Sequence, residues 1–159
     1  TLVFSVTYYH NYRGLYIISY YYTTYIYITG SYILILLMII AFIGYILTWG
    51  QMSFWGSTVI LNIFYCIPSL VYSIIGEFHI SIPTLYRFFI IHFLIPYHCI
   101  SFVIIHLYHI HISSSSNPIA ILCIILVELY PYCIIKDILY LYCLVDLIII
   151  LTHIGIITC

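Results

Sequence analysis

The sequence predicts an all-α fold, a multi-spanning transmembrane helix bundle, and two observations carry that prediction. The 159 residues are 66% hydrophobic and only 4% charged, too few charges to dress a surface that faces water. No Asp, Glu, Lys or Arg occurs between Arg13 and Glu77 or between Arg87 and Glu128, and each gap exceeds the roughly 20 residues that a spanning helix needs. The net charge of −1 offers no basic patch, so nucleic acid is not an expected partner. Six scattered cysteines without a C-x-x-C pair point to neither a zinc site nor a disulfide framework. Ile, Tyr, Phe and Leu are abundant and Ala and Arg scarce, the usage of an A+T-rich coding sequence, which hints at an organellar genome.

Four membrane segments are expected within a single domain over residues 1–159. Residues 1–10 are apolar from the first residue and have no charged region ahead of them, unlike a signal peptide. At about 1.5 Å per residue they are too short to span and read as the tail of a longer helix whose end is marked by "HNYRG". On that reading the chain is a split, partial or incompletely represented protein. A full span is expected over residues 25–47. Residues 48–83, rich in aromatics, Gly, Ser and Pro yet still apolar, suit short helices lying along the interface. The next span covers 84–110 and stops at "ISSSSNPIA", a turn signal. The last, 134–154, follows "ELYPYCIIKD", where Pro131 suits a helix start. By parity Arg13 and Lys136 share one side of the bilayer and Arg87 lies opposite, a slim positive-inside signal.

Eight histidines in so apolar a chain are the candidates for chemistry, because ionisable groups inside a membrane are costly. His92 and His106 are 14 positions apart, which at about 100° per residue brings them within roughly 40° of one face and about 21 Å apart along the axis. Two imidazoles so placed can ligate two metal centres at different depths, and bis-histidine haem iron is the natural candidate. The competing reading is two histidines bonded to backbone or lining a polar cavity. Gly30 and Gly44 repeat the 14-residue spacing on the neighbouring helix. A helix interior pays about 1 kcal/mol for glycine relative to alanine, so two in register suggest a large flat group at close approach. Tight packing of helices through small residues would use the same pattern. His79, His98, His109 and His153 read as structural or interfacial, with His98 about 120° away from the His92 face.

The blocks "GYILTWGQMSFWGSTVILN", "RFFIIHF", "HLYHIH", "SSNP" and "PYCIIKDIL" together resemble mitochondrial cytochrome b, the haem-bearing membrane subunit of the ubiquinol–cytochrome c reductase (bc1) complex. They occur in that family's order and near its spacing, from "YYHNYRGLY" to the last helix. The resemblance implies that residues 1–10 end helix B, 25–47 form helix C, 84–110 helix D and 134–154 helix E. It implies two haem b groups, with ubiquinol and ubiquinone as substrates. His10 and His106 would hold the high-potential haem and His92 the low-potential one. The fourth ligand would stand 14 residues before His10, ahead of Thr1, or come from a second chain. Arg13 would face a haem propionate, a role in which it competes with anchoring at the interface. His111, Ser115, Lys136 and Asp137 match the inner quinone site, where His111 and Asp137 would manage protons; the plainer reading is a charged helix end.

Trp49, Gly50, Gly56 and Ile60 match a wall of the outer quinol site, although Trp49 could equally be an interfacial anchor. The family's Pro-Trp-Gly-Gln is Thr-Trp-Gly-Gln here, so Thr48 alters the expected bend, and the Pro-Glu-Trp-Tyr element would be expected to follow Cys159. The family's partners are the Rieske iron–sulfur protein, cytochrome c1 and other bc1 subunits in a dimeric complex within the lipid bilayer of the mitochondrial inner membrane. The function expected is electron transfer from quinol to quinone coupled to proton movement. A b6-type di-haem cytochrome, whose histidine pair is more widely spaced, and a cofactor-free scaffold bundle are the other classes weighed.

Overall fold

The computed structural model describes residues 2–114 and 128–157, and the regular elements among them are all helical. The chain divides into two units, residues 1–119 and 120–159. In the first, α1 (Leu2–Tyr16) leads through α2 (Ser19–Tyr22) to α3 (Thr24–Leu47). The sequence places the end of the first helix at "HNYRG", but α1 continues through Gly14 to Tyr16. One glycine costs a helix only about 1 kcal/mol. The break falls instead at Ile18, whose left-handed φ of 58° ends the helical run.

Helices α3 and α6 (Ile82–Ser113), of 24 and 32 residues, are long and apolar enough to cross a membrane. They run antiparallel: Gly30, early in α3, meets His106, late in α6, and Gly44, late in α3, meets His92, early in α6. Large apolar side chains such as Ile28, Ile104 and Tyr108 are more than half exposed on these helices, as suits a lipid-facing surface.

Between them, α4 (Gln51–Ile63), a 3₁₀ turn (Phe64–Cys66) and α5 (Pro68–Ile75) form the short helices. The entry to α4 is made by Trp49, at a left-handed φ of 53°, followed by extended Gly50. Thr48 occupies the expected proline position without stopping the turn, and its hydroxyl donates to the Tyr45 carbonyl at 2.8 Å. Ser53 and Ser57 are almost fully buried, with hydroxyls returned to the Gly50 and Phe54 carbonyls. Their small size and internal hydrogen bonds let α4 pack closely in an apolar setting. Ile43, Ile46, Leu61, Val71, Ile75, Ile80 and Phe88 form the core at this end.

Pro68 opens α5 and Gly76 closes it in the left-handed conformation, φ 82°. The Arg87 guanidinium lies over Gly76, where an added Cβ would sit 2.6 Å from Cζ, and Nη1 donates to the Ser73 carbonyl. A cation is thereby placed on the carbonyls that the end of α5 leaves unpaired. A capping box of Ser81 and Thr84 starts α6, and the buried Thr84 hydroxyl donates to the Ile75 carbonyl at 2.7 Å.

In the second unit a π-type turn (Leu129–Cys133) precedes α7 (Ile134–Ile157). Tyr130, just before Pro131, is non-helical, as the residue ahead of a proline tends to be, so the α-helix begins after the proline and not at it.

Candidate functional site

The α3–α6 pair carries two matched contacts. A Cβ built on Gly30 would lie 3.1 Å from Cε1 of His106, and one built on Gly44 would lie 2.8 Å from Cε1 of His92. Each imidazole therefore stands against a helix surface from which the side chain has been removed. Alanine at Gly44 would force the ring to move, whereas at Gly30 a shift of a few tenths of an ångström would suffice.

At the Gly30 end α1 completes a cavity of about 510 Å³, within the size range of cofactor sites. His10, Arg13, Gly30 and His106, all singled out in the sequence, line it together with Asn11, Ser19, Thr23 and Tyr27. The His10 and His106 ring centroids are 6.4 Å apart, with planes at 77°. That separation suits two imidazoles reaching one metal ion from opposite sides through bonds of about 2 Å each. The Thr29 Oγ1 lies 2.9 Å from Nδ1 of His106, and the same hydroxyl is 2.9 Å from the Tyr25 carbonyl and 3.0 Å from the Ile26 carbonyl. The two carbonyls only accept, so they compete with Nδ1 for the single proton of the Thr29 hydroxyl.

At the Gly44 end, Nδ1 of His92 is buried without a hydrogen-bond partner among the described residues. Of the apolar core, Ile43 adjoins Gly44 in sequence and Phe88 stands one helical turn before His92, and Ile95 packs against that core. Pro96 has no N–H for the His92 carbonyl four residues earlier. A cavity of about 1000 Å³ opens here, lined by Ile39, Ile43, Ile60, Leu61, Arg87 and Phe88 among others, and is almost wholly apolar.

The remaining sequence candidates fall as follows. Ile60 lines this second cavity, and Trp49 packs against the core and edge-on to Phe54. Gly56 faces Tyr45, at 4.0 Å from an added Cβ, and Gly50 has open space. His111 is exposed on the last turn of α6, where Ile110, its neighbour, lines the first cavity. Lys136 and Asp137 stand in the first turn of α7, in the second unit, and Ser115 lies outside the described residues. Sequence reasoning passed over Thr29, whose only signal is a small hydroxyl residue directly before Gly30. It also left His98 and His109 unpartnered, whereas His98 accepts or donates with the Tyr32 hydroxyl at 3.2 Å and His109 stacks on Tyr25 at 5.9 Å.

Two glycines thus face two histidines along antiparallel helices. A family model described as cytochrome b/b6/petB matches residues 1–114. This chain belongs to the cytochrome b family. It is similar to the cytochrome b of Plasmodium berghei, 44% identical over 131 residues that make up 82% of this chain and 35% of the relative. Cytochrome b of Toxoplasma gondii is 41% identical over 132 residues, 83% of this chain and 36% of that protein. The chain thus spans about a third of the length of the curated relatives it matches.

The residues fit the haem group that the cytochrome b family binds. The glycine positions bring each imidazole close to the α3 backbone where a Cβ would intrude, and the His10 and His106 rings have a separation at which both would reach one iron.

Proposed function

We propose that this chain is the haem-holding part of the electron-transfer subunit of a respiratory bc1 complex in the mitochondrial inner membrane, passing electrons from ubiquinol to a quinone at an inner site with proton translocation. The observation that carries the reading is the matched pair of contacts, Gly30 with His106 and Gly44 with His92, with His10 at 6.4 Å from His106. Haem b, when bound, supplies one-electron redox chemistry, and the protein supplies position and electrostatics.

In this reading α1 is the end of helix B, α3 is helix C, α6 is helix D and α7 is helix E. His10 and His106 hold one haem from opposite sides. Arg13, on the same cavity wall, offers a guanidinium fork to a propionate. His92 supplies one ligand of a second haem against Gly44. At the His92 end the largely apolar cavity walls keep the local dielectric low, which strengthens electrostatic contacts there. By the resemblance His111, Ser115, Lys136 and Asp137 are each assigned to quinone reduction, with His111 and Asp137 moving protons. Trp49, Gly50, Gly56 and Ile60 belong to the outer quinol site, and Ile60 lines the apolar cavity that suits an isoprenoid quinol. The Rieske iron–sulfur protein, cytochrome c1 and a second copy of the complex are the partners.

A reduced-minus-oxidised absorbance spectrum of the membrane-bound complex tests the proposal. Two b-type components are expected, and a complex with no b-type band overturns it.

A further inference from the structure

We propose that Thr29 is a positioning residue for His106: its hydroxyl oxygen accepts Nδ1–H, fixes the ring's tautomer and orientation, and makes Nε2 a stronger electron donor to a bound metal. The inference rests on the reading of His106 as an axial haem ligand.

The geometry carries it in three steps. The Thr29 Oγ1 to His106 Nδ1 distance is 2.9 Å, a normal hydrogen bond linking two helices across 77 residues of sequence. The Thr29 hydroxyl has a single proton, and the Tyr25 and Ile26 carbonyls, which only accept, are at 2.9 and 3.0 Å. With that proton on the helix backbone, the oxygen receives the proton of Nδ1. A ligating histidine whose other nitrogen donates to an oxygen is held in one tautomer and is more basic at the metal. Thr29 adjoins Gly30, so one turn of α3 both clears space for the ring and sets its orientation. His92 has no such partner, its Nδ1 being buried and unpaired among the described residues.

The test uses the assembled complex in its native membrane, with Thr29→Val, which keeps the shape and loses the hydroxyl, and Thr29→Ser, which restores it. The expected result for Thr29→Val is a rise in the midpoint potential of the His106 haem corresponding to a roughly tenfold change in its ferric–ferrous equilibrium, about 59 mV for a one-electron couple. The low-spin ferric EPR signal of that haem shifts with it, the His92 haem is unmoved, and Thr29→Ser stays at the wild-type values. An unchanged potential and EPR signal in Thr29→Val overturns the proposal while leaving haem ligation intact. Retention of both haems in His106→Ala instead overturns the ligand reading itself. Should Thr29→Val fail to assemble, pulsed EPR of the wild-type complex with ¹⁵N-labelled histidine decides: a more strongly hydrogen-bonded Nδ1 proton on the His106 ligand than on the His92 ligand supports the assignment, and equal Nδ1 signals from the two defeat it.

Discussion

The two ends of the α3–α6 pair are built to the same plan and surrounded differently. At one, His106 faces Gly30, its Nδ1 is taken by Thr29, and His10, Asn11 and Arg13 line a common cavity. At the other, His92 is pressed harder against Gly44, at 2.8 Å against 3.1 Å, its Nδ1 has no hydrogen-bond partner among the described residues, and the nearby cavity is almost wholly apolar. A helical repeat sets position, and the neighbours decide chemistry. One spacing on each helix produces two imidazoles of like orientation, but a ligand's electronic character follows from what its second nitrogen touches and how wet its cavity is. Two redox centres with different properties can thus arise from a repeated geometry.

The comparison can be broken most severely at the histidines. His106→Ala is expected to remove the haem of the polar end entirely, about half of the b-type absorbance in a two-haem protein, while the His92 end keeps its spectrum. Equal loss from both ends would show that the two are one cooperative unit.

A smaller effect separates the glycines. Gly44→Ala places a Cβ 2.8 Å from the His92 ring, and such overpacking is expected to cost about 1–3 kcal/mol. Gly30→Ala, at 3.1 Å, is expected to cost less, since the gain of up to about 1 kcal/mol in helix propensity offsets part of a milder clash. Haem retention on stepwise heating of the two variants ranks them, and a more damaging Gly30→Ala would reverse the assignment of the tighter end.

Gly76→Ala probes the scaffold shared by neither imidazole. It meets both a left-handed backbone, φ 82°, and the Arg87 guanidinium at 2.6 Å, so a loss of about 1–3 kcal/mol in thermal stability is expected, with the His106 haem spectrum unchanged. The smallest effect belongs to Arg13→Gln. Arg13 is exposed, so its contribution to holding an anionic group at the polar end is expected to stay under about 1 kcal/mol, less than a fivefold change in haem retention during detergent washing.

Much of this site was legible in the sequence because helices translate spacing into direction. The interval shared by His92 with His106 and Gly30 with Gly44 predicts four residues in register, and the antiparallel packing of α3 on α6 pairs Gly30 with His106 and Gly44 with His92. Arg13 and His10 were legible through their place in the family blocks, and the cavity brings both to one wall. The end of α1 was not legible, because Gly14 is a weak helix breaker and the stop depends on the conformation of Ile18. The Trp49 turn was hidden for a similar reason: nothing in a tryptophan announces a positive φ, which packing against Phe54 and the core sustains. Thr29 was hidden because its partner is 77 residues away and its type is ordinary.

The sequence by itself determined that the chain is a helical membrane protein, where its long helices lie, and which faces carry histidine and glycine, since composition and a period of about 3.6 residues suffice for these. Only the tertiary structure decided that the His10 and His106 rings stand 6.4 Å apart, that the Thr29 hydroxyl meets one imidazole and that Nδ1 of the other has no hydrogen-bond partner among the described residues. Those are contacts between helices distant in sequence, and a hydrogen bond depends on tenths of an ångström that no periodicity encodes.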